Sequence, residues 1–113
     1  MRPAGLFDKL AKAGGKLCVR TLEGLERGEI TPIPQNEAEA THVGMIKKSM
    51  GEMDFSRSAI ELERLVRGLN PWPSAYTKLG GKTLKIWSAE VTEEASAGHT
   101  PGEVVSADGA LYV

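Results

Sequence analysis

The sequence is poor in the residues that usually carry chemistry. It has 1 Cys and 2 His in 113 residues. A single thiol, Cys18, excludes an internal disulfide and a four-cysteine zinc site, and it suits a reducing cytoplasm. His42 and His99 have no Cys, His or carboxylate at metal-ligand spacing, so both read as surface or linker side chains. No run of 18 apolar residues exists to cross a bilayer. The first residues lack the apolar stretch and small-residue cleavage site of a secretory leader. Aromatics are few, with 2 Phe, 2 Trp and 2 Tyr, and all but Phe7 lie at Phe55 or beyond. Gly80-Gly81 lacks the Gly-x-x-x-x-Gly-Lys-Ser/Thr pattern of a phosphate loop, and Glu93-Glu94 sits in a polar stretch with nothing apolar to raise a carboxyl pKa. Cys18 falls on the apolar side of a helical pattern and reads as a packed small hydrophobe. No catalytic constellation remains.

What is present is an uneven distribution of charge. The formal net charge is −1, which excludes a uniformly basic nucleic-acid tail. Residues 42–87, however, carry Lys47, Lys48, Arg57, Arg64, Arg67, Lys78, Lys82 and Lys85 against Glu52, Asp54, Glu61 and Glu63. Residues 88–113 carry acids alone: Glu90, Glu93, Glu94, Glu103 and Asp108. A basic middle beside an acidic end points to a polyanionic partner for the middle, set against the plainer reading of a solvated charged surface.

Hydrophobic spacing predicts two short helices, at 4–13 and 16–27, with Gly14-Gly15 as the break and Gly28 as the C-terminal cap. Neither is long enough to stand alone in water. Ile30 to Gln35 is extended by its prolines, and residues 36–40 read as a linker leading to a short extended piece at 41–46. Ser58-Ala59-Ile60-Glu61 has the form of a capping box. Leu62, Leu65, Val66 and Leu69 follow on one helical face, with Glu63 and Arg67 at i, i+4, and Asn70-Pro71 stops the helix. Strands are expected from Ala75, again from Thr83 to Val91, from Glu103 to Ser106, and from Ala110 to Val113. Gly80-Gly81 and Asp108-Gly109 are the hairpin turns. Trp72 and Trp87 read first as core plugs; for Trp72 an exposed face on which a base stacks is the other reading.

The stretch Ser58-Ala59-Ile60-Glu61-Leu62-Glu63-Arg64-Leu65-Val66-Arg67-Gly68-Leu69-Asn70-Pro71-Trp72-Pro73-Ser74-Ala75-Tyr76-Thr77 resembles the hallmark of the methionyl-tRNA formyltransferase family. The family pattern has an Asp-aromatic-Ser start, here Asp54-Phe55-Ser56, a Glu-Arg-x-x-Arg helix and an Asn-Pro-Trp-Pro corner. Lys82 to Trp87, Pro101-Gly102, Gly5 to Ala11 and Pro34-Gln35 with Ala40-Thr41 are similar to it as well, so the resemblance covers nearly the whole chain.

That resemblance implies an α+β fragment. Residues 1–37 would be the C-terminal end of a Rossmann-like formyltransferase domain, represented by two short helices. Residues 38–50 would be a linker. Residues 51–113 would be one capped helix and an incomplete OB-like β-barrel that binds tRNA. The family's catalytic Asn, His and Asp fall before the region matching Met1, so the resemblance assigns no catalytic residue here, and a fragment is expected. The whole enzyme would move a formyl group from 10-formyltetrahydrofolate to methionyl-initiator tRNA, as a cytoplasmic monomer with no membrane or metal partner. This part would bind the tRNA and no cofactor, with Lys47, Lys48, Arg57, Arg64, Arg67, Lys78, Lys82 and Lys85 as phosphate contacts. Sugar-nucleotide formyltransferases and formyltetrahydrofolate dehydrogenases share the same body, with a less faithful Asn-Pro-Trp-Pro corner. A stand-alone RNA-binding module is the reading from a different class.

Overall fold

In a computed structural model, described for residues 3–93, 98–107 and 109–113, the chain is α+β. One long helix, α1 (Pro3–Glu26), is followed by an irregular stretch with two short 3-10 turns at Glu37–Glu39 and Lys48–Gly51. Helix α2 (Ala59–Gly68) comes next, then strands β1 (Ala75–Leu79), β2 (Lys82–Ile86), β3 (Val105–Ala107) and β4 (Ala110–Tyr112). The molecule measures 66 × 32 × 29 Å.

Helix α1 corrects the expectation of two helices. Gly14-Gly15 does not interrupt it. A glycine in a helix interior costs about 1 kcal/mol relative to Ala, but it keeps its N–H and C=O for the ladder. A break would instead leave new unsatisfied ends and require a second nucleation. Gly28 does end the helix, with φ +70. The Gly28 N–H donates to the Leu25 carbonyl at 3.1 Å and the Glu29 N–H donates to the Gly24 carbonyl at 2.9 Å, the two bonds of a Schellman turn. The turn folds Ile30 back onto Gly24, where a β-carbon would lie 2.5 Å from Ile30 Cδ1.

The rest of α1 is bare. Leu6, Phe7, Leu10, Leu17, Val19, Leu22 and Leu25 are exposed, and so is Cys18. The reading of Cys18 as a packed hydrophobe is therefore corrected: the apolar stripe exists, but among the described residues only Gly24 of this helix is buried.

Helix α2 forms as its sequence predicts. Ser58 caps it: the Glu61 N–H donates to Ser58 Oγ, and the Ser58 N–H and hydroxyl donate to Glu61 Oε2 at 3.2 and 2.9 Å. Val66 and Leu69 of its apolar face are buried together with Ala75 at the start of β1, and these three are the buried hydrophobic residues among those described.

The corner from Asn70 to Ser74 turns α2 into β1. Both X-Pro bonds, Asn70–Pro71 and Trp72–Pro73, are cis, and Ser74 takes φ 77. The Ser74 N–H donates to the Leu69 carbonyl at 2.9 Å and its hydroxyl donates to the Pro71 carbonyl at 3.0 Å. Gly51 packs against this corner so closely that a β-carbon there would collide with the Ser74 carbonyl oxygen. On the same side the Met53 N–H donates to the Tyr76 carbonyl at 2.9 Å. Asn70 Nδ2 donates to the Trp87 carbonyl at 2.8 Å, tying the end of α2 to the end of β2.

The two hairpins are where glycine signals place them. Gly80 and Gly81 take φ 56 and 77, the left-handed pair that a two-residue turn with the twist of its strands requires. The register is Ala75↔Ile86, Tyr76↔Lys85, Thr77↔Leu84, Lys78↔Thr83 and Leu79↔Lys82. Strand β2 stops at Ile86, short of the expected Val91, and β3 begins at Val105 rather than Glu103. Gly109, φ 78, turns β3 into β4; Asp108 lies outside the described residues. The strands form two separate two-stranded antiparallel sheets, β1–β2 and β3–β4.

Candidate nucleic-acid interface

Strand alternation sorts the β1–β2 hairpin into two faces. The register puts Tyr76, Lys78, Thr83 and Lys85 on one face. Ala75, Thr77, Leu79, Lys82, Leu84 and Ile86 share the other. The first face, the proline corner and the 3-10 turn at Lys48 enclose a groove of about 560 Å³. Its lining brings together three lysines, Lys48, Lys78 and Lys85, and three aromatic rings, Trp72, Tyr76 and Trp87. Ser74 and Thr83 add hydroxyls and Pro71 and Pro73 a rigid wall, and among the described residues no carboxylate lines the groove. Among the described residues, none of the three lysines lies within ion-pairing distance of an acid.

Trp72 and Trp87 are 60% and 53% exposed, which corrects their reading as core plugs. A two-stranded sheet carries no second layer on this face, so nothing among the described residues covers the rings. Lys85 Nζ lies 5.9 Å from the centre of the Trp87 ring, within the range of a cation–π contact.

The other five cations expected to touch phosphate are placed differently. Lys47 adjoins Lys48 in the chain but does not line the groove. Lys82 lies on the opposite face of the hairpin. Arg57 Nη2 is held by Glu61 Oε1 at 2.8 Å, and Arg67 Nε by Glu63 Oε1 at 2.8 Å. Arg64 is exposed on α2. The Arg57 guanidinium and the Ser58 hydroxyl and N–H pull Glu61 down to about 2 from its ordinary 4.5. The Arg67 fork lowers Glu63 and is itself raised by it. His42 is exposed, and exposed His99 places Nδ1 3.1 Å from Glu103 Oε1.

The sequence reading missed Tyr76, Ser74 and Thr83 as groove residues. Tyr76 and Thr83 were within reach, because the Gly80-Gly81 turn sets the pairing and a period of two then joins them to Lys78 and Lys85. Ser74 was not, since nothing local announces a left-handed serine at that corner.

Among the described residues no helix is long and apolar enough to cross a membrane, and no group of three His, Cys, Asp or Glu side chains is placed to hold a metal.

Residues 45–113 match the family model described as "Formyl transferase, C-terminal domain". Similar curated proteins include the methionyl-tRNA formyltransferase of Lachnospira eligens, 56% identical over 105 residues, covering 89% of this chain and 33% of the relative. That of Agathobacter rectalis is 55% identical over 97 residues, covering 86% and 31%. That of Caldanaerobacter subterraneus is 42% identical over 108 residues, covering 96% and 35%. The chain thus spans about a third of the length of these relatives.

Proposed function

The chain belongs to the formyl transferase C-terminal domain family, and we propose that it is the tRNA-holding part of a methionyl-tRNA formyltransferase. The observation that carries the reading is the groove that Lys48, Lys78 and Lys85 line together, with no carboxylate among its described lining residues. Unpaired ammonium groups in a concave surface attract a polyanion and gain further when its counterions are released. The names of the relatives supply the class of polyanion: a tRNA charged with methionine.

The reaction of the whole enzyme is transfer of a formyl group from 10-formyltetrahydrofolate to the amino group of methionyl-initiator tRNA. Attack of the amine on the formyl carbon needs proton transfer and a stabiliser for the developing oxyanion. In this reading the groove's lysines, rings and hydroxyls bind the tRNA and leave the chemical step to the rest of the enzyme. Their contribution is remote binding energy that fixes where the acceptor end of the tRNA lies.

Residues 1–37 are the end of the catalytic, Rossmann-like domain, 38–50 the linker, and 51–113 the OB-like barrel domain of that enzyme. Support comes from the family match over residues 45–113, which takes in 51–113 and the end of the linker, and from the exposed apolar stripe of α1. The cytoplasmic, monomeric state expected from the sequence is part of the same reading.

The test is tRNA binding by the full chain across a salt series. The slope of log affinity against log salt should fall by roughly 0.7–0.9 for each of Lys48→Gln, Lys78→Gln and Lys85→Gln. Lys47→Gln, Lys82→Gln and Arg64→Gln are also phosphate candidates and should lower it less. Arg57→Gln and Arg67→Gln should lower it least, because each arginine exchanges a carboxylate for a phosphate. Unaltered slopes for all three groove lysines would sink the reading.

A further inference from the structure

We propose that the groove between the proline corner and the β1–β2 hairpin is a subsite for an unpaired nucleotide, whose base stacks on Trp72 or Trp87 while its flanking phosphates meet Lys48, Lys78 and Lys85. The proposal rests on the RNA-binding reading above and narrows it from a charged surface to one that takes a base out of the stack.

Three observations carry it. The groove is an open concavity of about 560 Å³, with room for one base and its sugar-phosphate. Trp72 and Trp87 are both more than half exposed, so their faces are open to a base. The rings and cations also alternate along the lining. Tyr76 and Lys85 are cross-strand partners, Lys78 and Thr83 are the next pair on that face, and Lys85 sits over the ring of Trp87. Interleaved aromatic faces and cations are what a single-stranded nucleic acid requires, a π face for each base and a positive charge for each phosphate. Phosphate contacts alone would use the lysines and leave the rings unexplained.

The two tryptophans of the chain both line the groove, so intrinsic fluorescence follows its occupancy, and Trp87→Leu leaves Trp72 as the reporter of this groove. The experiment titrates the full chain with a short single-stranded oligoribonucleotide, with its abasic ribose-phosphate counterpart of equal length, with a blunt duplex, and with a glutamate-rich peptide. The single strand should quench the fluorescence and bind roughly 5- to 150-fold more tightly than the abasic strand, the range carried by one base–aromatic stack. Trp72→Leu or Trp87→Leu should erase that difference, and the matching Phe variant should restore most of it. Because both positions are exposed, these changes leave the buried residues untouched.

Equal affinity for the base-bearing and abasic strands would overturn the stacking subsite and leave RNA binding by charge intact. Preference for the blunt duplex would do the same. Equal quenching by the acidic peptide would overturn the proposal in favour of a protein partner. Binding to none of the nucleic acids would overturn both this proposal and the function it rests on.

Discussion

At the residue scale, the chain concentrates its specific geometry in a few side chains around α2 and the proline corner. Ser58 and Glu61 satisfy each other's backbone groups, and Arg57 adds an ion pair on the outer oxygen of the same carboxylate. This arrangement prefers ionised Glu61, whose pKa is drawn down to about 2 from 4.5. A carboxylate with a depressed folded-state pKa stabilises the fold fully above its ordinary value and loses that contribution as pH falls through the depressed one. The helical ellipticity of α2 should therefore weaken between about pH 4.5 and pH 2. Glu61→Gln should be less stable than the parent at neutral pH, and the two should converge near pH 2. A difference that stays constant across that range would mean that the ion pair and box do not form. Gly51 and Ser74 show a different kind of constraint: one residue has no side chain because a carbonyl occupies its place, and the other holds a left-handed backbone through its own hydroxyl.

At the scale of elements, the contrast lies between α2, which its local sequence specifies completely, and α1, where local signals mislead. Capping residues, apolar face and stop signal agree over Ser58 to Pro71, so the element forms where the pattern puts it. Over residues 3–26 the double glycine reads as a break, yet the ladder runs through it. Nothing lies within 4 Å of a β-carbon built at Gly14 or Gly15. Gly14→Ala and Gly15→Ala should therefore each strengthen the helix by about 0.5–1 kcal/mol, seen as greater helical ellipticity and a higher melting temperature for α1. Loss of helicity in either variant would show that the glycines are needed to bend the chain there. The β1–β2 hairpin was legible because its turn glycines are unambiguous. The ends of β2 and β3 were not, since apolar residues continue beyond the last paired position.

At the scale of the molecule, burial is confined to a small region. Val66, Leu69 and Ala75 are the buried hydrophobic side chains among the described residues, while the radius of gyration is 21.1 Å. A compact domain of this length would have a radius near ~13 Å. Backbone protection should follow the same division. In hydrogen exchange, the amides around Val66, Leu69 and Ala75 should be the slowest, and those of residues 3–23 should exchange much faster despite their helical bonds. Uniform protection across both regions would show that α1 is covered by something this arrangement does not contain. An exposed apolar stripe of this length is unusual on a folded surface. Its presence agrees with a chain that spans about a third of its relatives.

The sequence by itself determined the family, the capped helix with its ion pair, the glycine turns of both hairpins and the basic character of residues 42–87, because each depends on neighbours a few positions apart. It could not determine which cations lie together. That depended on a register that puts Lys78 and Lys85 on one face and Lys82 on the other, on a corner and a 3-10 turn that set Trp72 and Lys48 beside them, and on acids that claim Arg57 and Arg67. Nor could it tell a buried tryptophan from an offered one. The same apolar ring is buried under a second layer of structure and exposed without one, and only the tertiary arrangement decides which surrounds it.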